Sequence, residues 1–157
     1  MIYVSTGGYS KKKPSEIYKY LKKNGIFQIE FSGGKFDLEI KKLFKKKNPS
    51  IQFHNYFPPN QRPFVFNLSS ANKEILNKSL SMAKKNIINS KKIGAKYFSL
   101  HAGFRIDPNL EELGEKIYKK RILKKTIAEK NFYKSIKQLV SYAKKYGIIL
   151  LIENNVI

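Results

Sequence analysis

The sequence holds two histidines, and each closes a short β-rich run, His54 at the end of Ile51-Gln-Phe-His54 and His101 at the end of Lys96 to His101. Glu153 closes Ile148 to Glu153 in the same way. Two neutral imidazoles and one carboxylate are the ligand set of a catalytic metal site that keeps a coordination position open for water or substrate. That reading requires the three strand ends to be neighbours, because the residues are far apart in sequence and no local HxxxH-type motif joins them. The competing reading is a histidine that hydrogen-bonds the backbone of a loop. Glu30, late in the run Ile26 to Phe31, is a candidate catalytic base or hydrogen-bond acceptor for substrate, against the alternative of an acid paired with one of many lysines. Thr6-Gly7-Gly8 and Ser32-Gly33-Gly34 lack the GxGxxG and Walker spacings, so tight turns explain them better than nucleotide binding. With no cysteine in the chain, thiolate ligands, a cysteine nucleophile and disulfides are excluded.

The elements that must position these residues show a repeated joint. Leu21-Lys-Lys-Asn-Gly25, Lys91-Lys-Ile-Gly94 and Lys144-Lys-Tyr-Gly147 each precede a β-rich run. Lysines complement a helix C-terminus, glycine takes the left-handed position that ends it, and a strand follows. Helical periodicity places Leu76, Leu80, Ala83, Ile87 and Ile88 on one face, and Phe132, Ile136, Leu139, Val140 and Ala143 on another. Pro14 suits the first turn of a helix running up to Gly25, and a shorter helix is expected over Asp37 to Lys46, stopped by Asn48-Pro49. With Ile2 to Ser5 and Ile51 to His54 added, five strands alternate with four helices, which implies parallel pairing with right-handed crossovers. Two α/β architectures share that order, a five-stranded doubly wound sheet and the first half of an eight-stranded βα barrel. A doubly wound domain is expected to close with a helix after its last strand, so the end at Ile157 favours a partial TIM barrel. The expectation is a single domain over 1–157, truncated after the fifth strand. Alternation puts Tyr97, Ser99 and His101 on one face of the fourth strand, and Ile149, Leu151 and Glu153 on one face of the fifth. The long segments Phe57 to Ser70 and Gly103 to Lys125 follow strand C-termini, where barrel enzymes carry their substrate loops.

The charge is extreme, with 32 Lys+Arg against 11 Asp+Glu and a net +21. Such a balance attracts phosphates and nucleic acid. Yet 29 of the basic residues are lysine and 3 are arginine, and arginine is the residue that reads phosphates and base edges bidentately. The clusters Lys11-Lys12-Lys13 and Lys45-Lys46-Lys47 are expected in solvent beside helices. A hydrophobic fraction of 41% supplies a real core and excludes wholesale disorder. No apolar run approaches a membrane span, and Met1 leads directly into strand-like sequence, so a cytoplasmic protein without membrane association is expected.

The run His54-Asn-Tyr-Phe-Pro-Pro, then Phe66-Asn-Leu-Ser-Ser70, Leu100-His-Ala-Gly103 and Leu150-Leu-Ile-Glu-Asn-Asn155 resemble the xylose isomerase-like TIM barrel superfamily. That superfamily includes sugar phosphate isomerases/epimerases and the endonuclease IV group. The resemblance covers nearly the whole chain and implies that His54, His101 and Glu153 match metal ligands supplied by the third, fourth and fifth strands. It implies a divalent metal, Zn, Mn or Mg, and a small sugar or sugar-phosphate substrate, with the Asn-Tyr-Phe-Pro-Pro loop and the Glu-Asn-Asn ending closer to the isomerase/epimerase side. The alternatives are an endonuclease IV-like phosphodiesterase acting on abasic DNA and a non-catalytic half barrel. Further ligands of this superfamily come from strands six to eight, so autonomous activity is not expected of 157 residues. Two unpaired parallel edges are expected, and with them a homodimer or union with a complementary C-terminal half.

Overall fold

The computed structural model describes residues 2–9, 11–112 and 122–153. Five strands, β1 (Val4–Ser5), β2 (Ile29–Phe31), β3 (Ile51–His54), β4 (Tyr97–His101) and β5 (Ile149–Glu153), form one sheet in the order β1-β2-β3-β4-β5. All four pairings are parallel. A doubly wound sheet reverses its strand order at a switch point; this sheet never does, and it is the consecutive order of a βα barrel. The α-helices are α1 (Pro14–Lys23), α2 (Lys73–Ile93) and α3 (Lys125–Tyr146).

Alternation along the strands separates two faces. Ile29, Phe31, Ile51, Phe53, Phe98 and Leu100 are fully buried against the helices, where they meet Ile17, Leu21, Ala83, Ile87, Leu139 and Ala143. Phe57, just past β3, extends this layer by stacking on Phe31 with ring centroids 4.7 Å apart. The opposite, inner face carries the polar residues Glu30, Gln52, His54, Ser99, His101 and Glu153. The helix ends follow the expected joint: Gly94 and Gly147 cap α2 and α3 with φ of 79° and 67°, a left-handed conformation that glycine adopts without a Cβ penalty. At the start of α2, the Asn72 side-chain oxygen accepts from the backbone N–H of Glu74 at 2.9 Å, satisfying a donor that the first turn leaves unpaired.

Two expectations about the helices need correction. The segment from Asp37 to Lys46 is a 3₁₀ helix over Glu39–Lys45, leaving three α-helices among the described residues. Both ends of the segment are anchored: the Asp37 carboxylate accepts from Ser15 N–H at 2.8 Å and Glu39 N–H at 2.9 Å, and Asn48 N–H donates to Ile93 C=O at 2.7 Å. Few residues must span those anchors, and 3₁₀ geometry gains about 2.0 Å per residue against about 1.5 Å for an α-helix. Val140, expected on the buried face of the last helix, is 50% exposed, while its neighbour Leu139 is fully buried. Position 140 lies about 100° around the helix from 139, beyond the edge of the packed stripe. The lysines at 11–13 and 45–47 are exposed, as expected. The region after β4 contains a short 3₁₀ turn at Leu110–Glu112; residues 113–121 of this segment lie outside the described residues, as do Asn154 and Asn155.

Asp37 ties α1 to the 3₁₀ segment, and its ionised form is favoured there. Burial pushes its carboxyl up, but hydrogen bonds from Ser15 and Glu39 and the nearby Lys13 charge outweigh this and hold it below its ordinary value of 3.8. A depressed carboxyl contributes stability that is present above the unfolded-state value and lost as pH falls through the folded-state value. Asp37→Asn is therefore expected to be less stable than the native chain at pH 7, with the difference vanishing as pH falls below 3.8. Urea denaturation across that range checks it, and a difference that persists unchanged in acid counts against this role.

Candidate metal centre

The register of the ladder builds the site. His54 of β3 pairs with Ser99 of β4, and His101 of β4 pairs with Glu153 of β5, so the inner-face residues at three successive strand ends fall side by side. Ligand atoms of His54, His101 and Glu153 all lie within 4.8 Å of one another. His54 Nε2 is 3.1 Å from Glu153 Oε2, and the two imidazole rings meet edge to face with centroids 4.7 Å apart. A tetrahedral ion with bonds of about 2.1 Å separates its ligands by roughly 3.4 Å, so the trio fits a divalent ion with small side-chain adjustments. His54 is 3% exposed, and its Nδ1 is buried without a hydrogen-bond partner. The ring thus rests on what Nε2 can bind, here a carboxylate on β5.

Backbone contacts hold Glu153 and His54 in place. Ala102 N–H donates to Glu153 C=O at 3.2 Å, and Phe57 N–H donates to His54 C=O at 3.0 Å. Tyr56, which the sequence reading did not single out, has its ring centroid 6.3 Å from His54 and 6.0 Å from His101. Its hydroxyl accepts from Phe66 N–H at 3.2 Å, and burial raises that hydroxyl above its ordinary 10.0, so it stays protonated at neutral pH.

Glu30 is not brought into the trio. It lies one row deeper on the inner face, where its Oε2 accepts from Gln52 Nε2 at 2.7 Å and Ser99 Oγ at 2.6 Å. Gln52 was also missed by the sequence reading; applying the same alternation to β3 as to β4 places it on the face of His54.

The loops that leave β3 and β4 are clamped together by Asn67. Its Nδ2 donates to Phe104 C=O, Ile106 C=O and Asp107 Oδ1, and its Oδ1 accepts from Ser69 N–H and Phe104 N–H. Gly103 sits against it with φ of 120°, and a Cβ there would lie 2.5 Å from Asn67 Oδ1. The clamp fixes the chain two residues beyond His101. A cavity of about 300 Å³ between these loops is walled by Phe64, Val65, Ile75, Asp107 and Leu110 among others; none of its walls belongs to the trio.

Two histidines and a glutamate stand at the C-terminal ends of consecutive parallel strands, the rim on which βα barrels carry their sites, and the three could hold a metal ion. Comparison with protein families agrees: the model described as xylose isomerase-like TIM barrel matches residues 13–155, and the chain belongs to that family. No curated protein matches the sequence. Among solved structures, the chain is similar to a D-tagatose 3-epimerase-like protein, with 16% identity and a TM-score of 0.66 over 96% of this chain and 51% of that one. It is also similar to an L-ribulose 3-epimerase, at 17% identity, a TM-score of 0.61, and 96% and 48% coverage. The TTHB071 protein of Thermus thermophilus, soaked with ZnCl2, aligns at 16% identity with a TM-score of 0.61, covering 98% of this chain and 55% of that one. The chain thus spans about half the length of these proteins. None of the described helices is long and apolar enough to cross a membrane.

Removing the clamp leaves the buried N–H of Ser69 and the partly buried N–H of Phe104 without their acceptor. Asn67→Ala is expected to lower unfolding free energy by about 2 to 4 kcal/mol, measured by urea denaturation; a loss within about 0.5 kcal/mol, the range of neutral surface changes, contradicts the role assigned to Asn67.

Proposed function

We propose that this chain carries the metal-binding half of a sugar isomerase/epimerase-type site. The observation that carries the reading is the convergence of His54, His101 and Glu153 within 4.8 Å from three neighbouring strands. His54 and His101 are suited to hold the ion as neutral imidazoles, with Glu153 as its anionic ligand. A divalent ion bound there supplies Lewis-acid polarisation of a substrate hydroxyl or carbonyl oxygen. Glu153 is far more exposed than His54, its side chain 59% accessible against 4%, so it faces the substrate side of the site while His54 anchors the inner side. The similarity to a D-tagatose 3-epimerase-like protein and an L-ribulose 3-epimerase supports a ketose as substrate class. Glu30, tied to Gln52 and Ser99, is read here as a binding group for substrate in preference to a mobile base, and the proton-transferring carboxylate is assigned to Glu153 or to a residue outside this chain. A metal drawn from Zn, Mn and Mg, a cytoplasmic location, and association with a second copy or a complementary half belong to the same reading.

One observation favours a second reading. The net charge of +21 suits a phosphodiesterase that acts on abasic DNA with the same ligand set, since lysines facing a duplex gain affinity by releasing counterions.

The isomerase/epimerase reading is tested by titrating the metal-loaded chain into D-fructose and following broadening and shifts of the sugar signals by ¹H NMR. Sugar binding that depends on added metal and is lost in Glu153→Ala, which removes a ligand of the ion, is the expected result. No sugar binding, together with steeply salt-dependent binding to an abasic duplex, would transfer the site to the second reading.

A further inference from the structure

One row beneath the metal centre, the inner face presents a group of side chains whose hydrogen bonding is unfinished. Glu30 and Gln52 are register partners on β2 and β3, and Ser99 lies across β4. Gln52 Nε2 and Ser99 Oγ both donate to the same oxygen, Glu30 Oε2, at 2.7 and 2.6 Å. Ser99 Oγ also lies 3.4 Å from Phe53 C=O, but its single hydrogen serves the shorter, charge-assisted bond. The orientation of the Gln52 amide is therefore fixed: only its NH2 end can meet a carboxylate. The other end, Oε1, is buried without a partner on a residue that is 6% exposed. An unpaired buried carbonyl costs free energy that native structures rarely leave uncompensated.

The Ser99 hydroxyl and the Gln52 amide nitrogen are both engaged with Glu30 Oε2, and what the group chiefly offers is acceptor capacity, above all at Gln52 Oε1. A ligand that completes it must bring donors and no negative charge. Two residues of strand separate this row from the next, roughly 7 Å, so a pentose or hexose held at the metal centre by one end reaches it with the other. We propose that Glu30 and Gln52, braced by Ser99, form a subsite that accepts hydrogen bonds from the hydroxyl groups of an uncharged sugar bound at the metal centre. A phosphate at that end of the substrate would meet the Glu30 carboxylate and be repelled, so the subsite selects free sugars over sugar phosphates in this orientation. This rests on the sugar reading of the metal centre and adds to it the class of substrate and the residues that choose it.

The test is isothermal titration of D-fructose into the zinc-loaded chain, in native form and as Gln52→Leu, Glu30→Gln and Ser99→Ala, with zinc affinity measured on each. Leucine at 52 keeps the volume and removes the acceptor. Expected is a loss of D-fructose affinity of about tenfold in Gln52→Leu, about 1.4 kcal/mol, and a loss in Glu30→Gln, with zinc affinity within about twofold of native in both. Ser99→Ala, which removes a brace and no acceptor of the subsite, is expected to weaken D-fructose less than Gln52→Leu. D-fructose binding that is unchanged in Gln52→Leu and Glu30→Gln overturns the subsite and leaves the metal-site reading standing; no D-fructose binding to the native zinc-loaded chain overturns both. If Gln52→Leu fails to fold, Gln52→Met decides: it keeps an unbranched side chain of similar length with no amide carbonyl, and unchanged D-fructose affinity there overturns the proposal.

Discussion

The parallel ladder between β3, β4 and β5 is the constraint on which the site depends. In a parallel sheet of consecutive strands all C-terminal ends lie on one rim, and a shift of one residue in any pairing sends a strand's inner side chains to the helix face. The pairing of His101 with Glu153 and of His54 with Ser99 keeps both histidines and the glutamate inward. The register is secured from the other face. Phe53, Phe98 and Leu100 are fully buried against α2 and α3, and a slip would trade those aromatic and aliphatic contacts for buried polar groups, at several kcal/mol per residue. The apolar packing outside the sheet thus fixes the polar chemistry inside it.

The inner face is organised in layers along the strands. The upper row, His54, His101 and Glu153, offers nitrogen and oxygen donors to an ion. The row below, Glu30, Gln52 and Ser99, is tied by hydrogen bonds into a rigid group on a single carboxylate oxygen. Above both, Asn67 joins the loops after β3 and β4, with Gly103 pressed against its side chain. The strands carry these polar rows, and the loops that follow β3 and β4 are held together by a buried amide, on the side where βα barrels vary their walls.

Much of this was legible in the sequence because the signals are local. The lysine-rich, glycine-capped helix ends and the β-rich runs after them mark the joints of parallel βα units, and His54, His101 and Glu153 stand out by their identical place at those runs. β3 and the C-terminal ends of β4 and β5 lie where the pattern sets them. The 3₁₀ segment at Glu39–Lys45 was not legible, since its geometry comes from the Asp37 and Asn48 anchors on α1 and α2, contacts between elements that no periodicity encodes. Val140 failed for a related reason: apolar spacing marks a face, while the width of the buried stripe depends on what packs against it. Gln52, Tyr56 and Asn67 were missed as functional neighbours because a glutamine, a tyrosine and an asparagine carry no signal singly; their meaning comes from partners at the strand register and across two loops.

The central claim is that His54, His101 and Glu153 form one metal site on this chain. The most direct test is zinc stoichiometry by native mass spectrometry with the accompanying shift in melting temperature, on the native chain and on the His54→Ala, His101→Ala and Glu153→Ala variants. The account predicts one zinc ion per native chain and a rise in melting temperature that each substitution abolishes. Absence of zinc from the native chain, or retention of an equal stoichiometry and shift in all three variants, would contradict it.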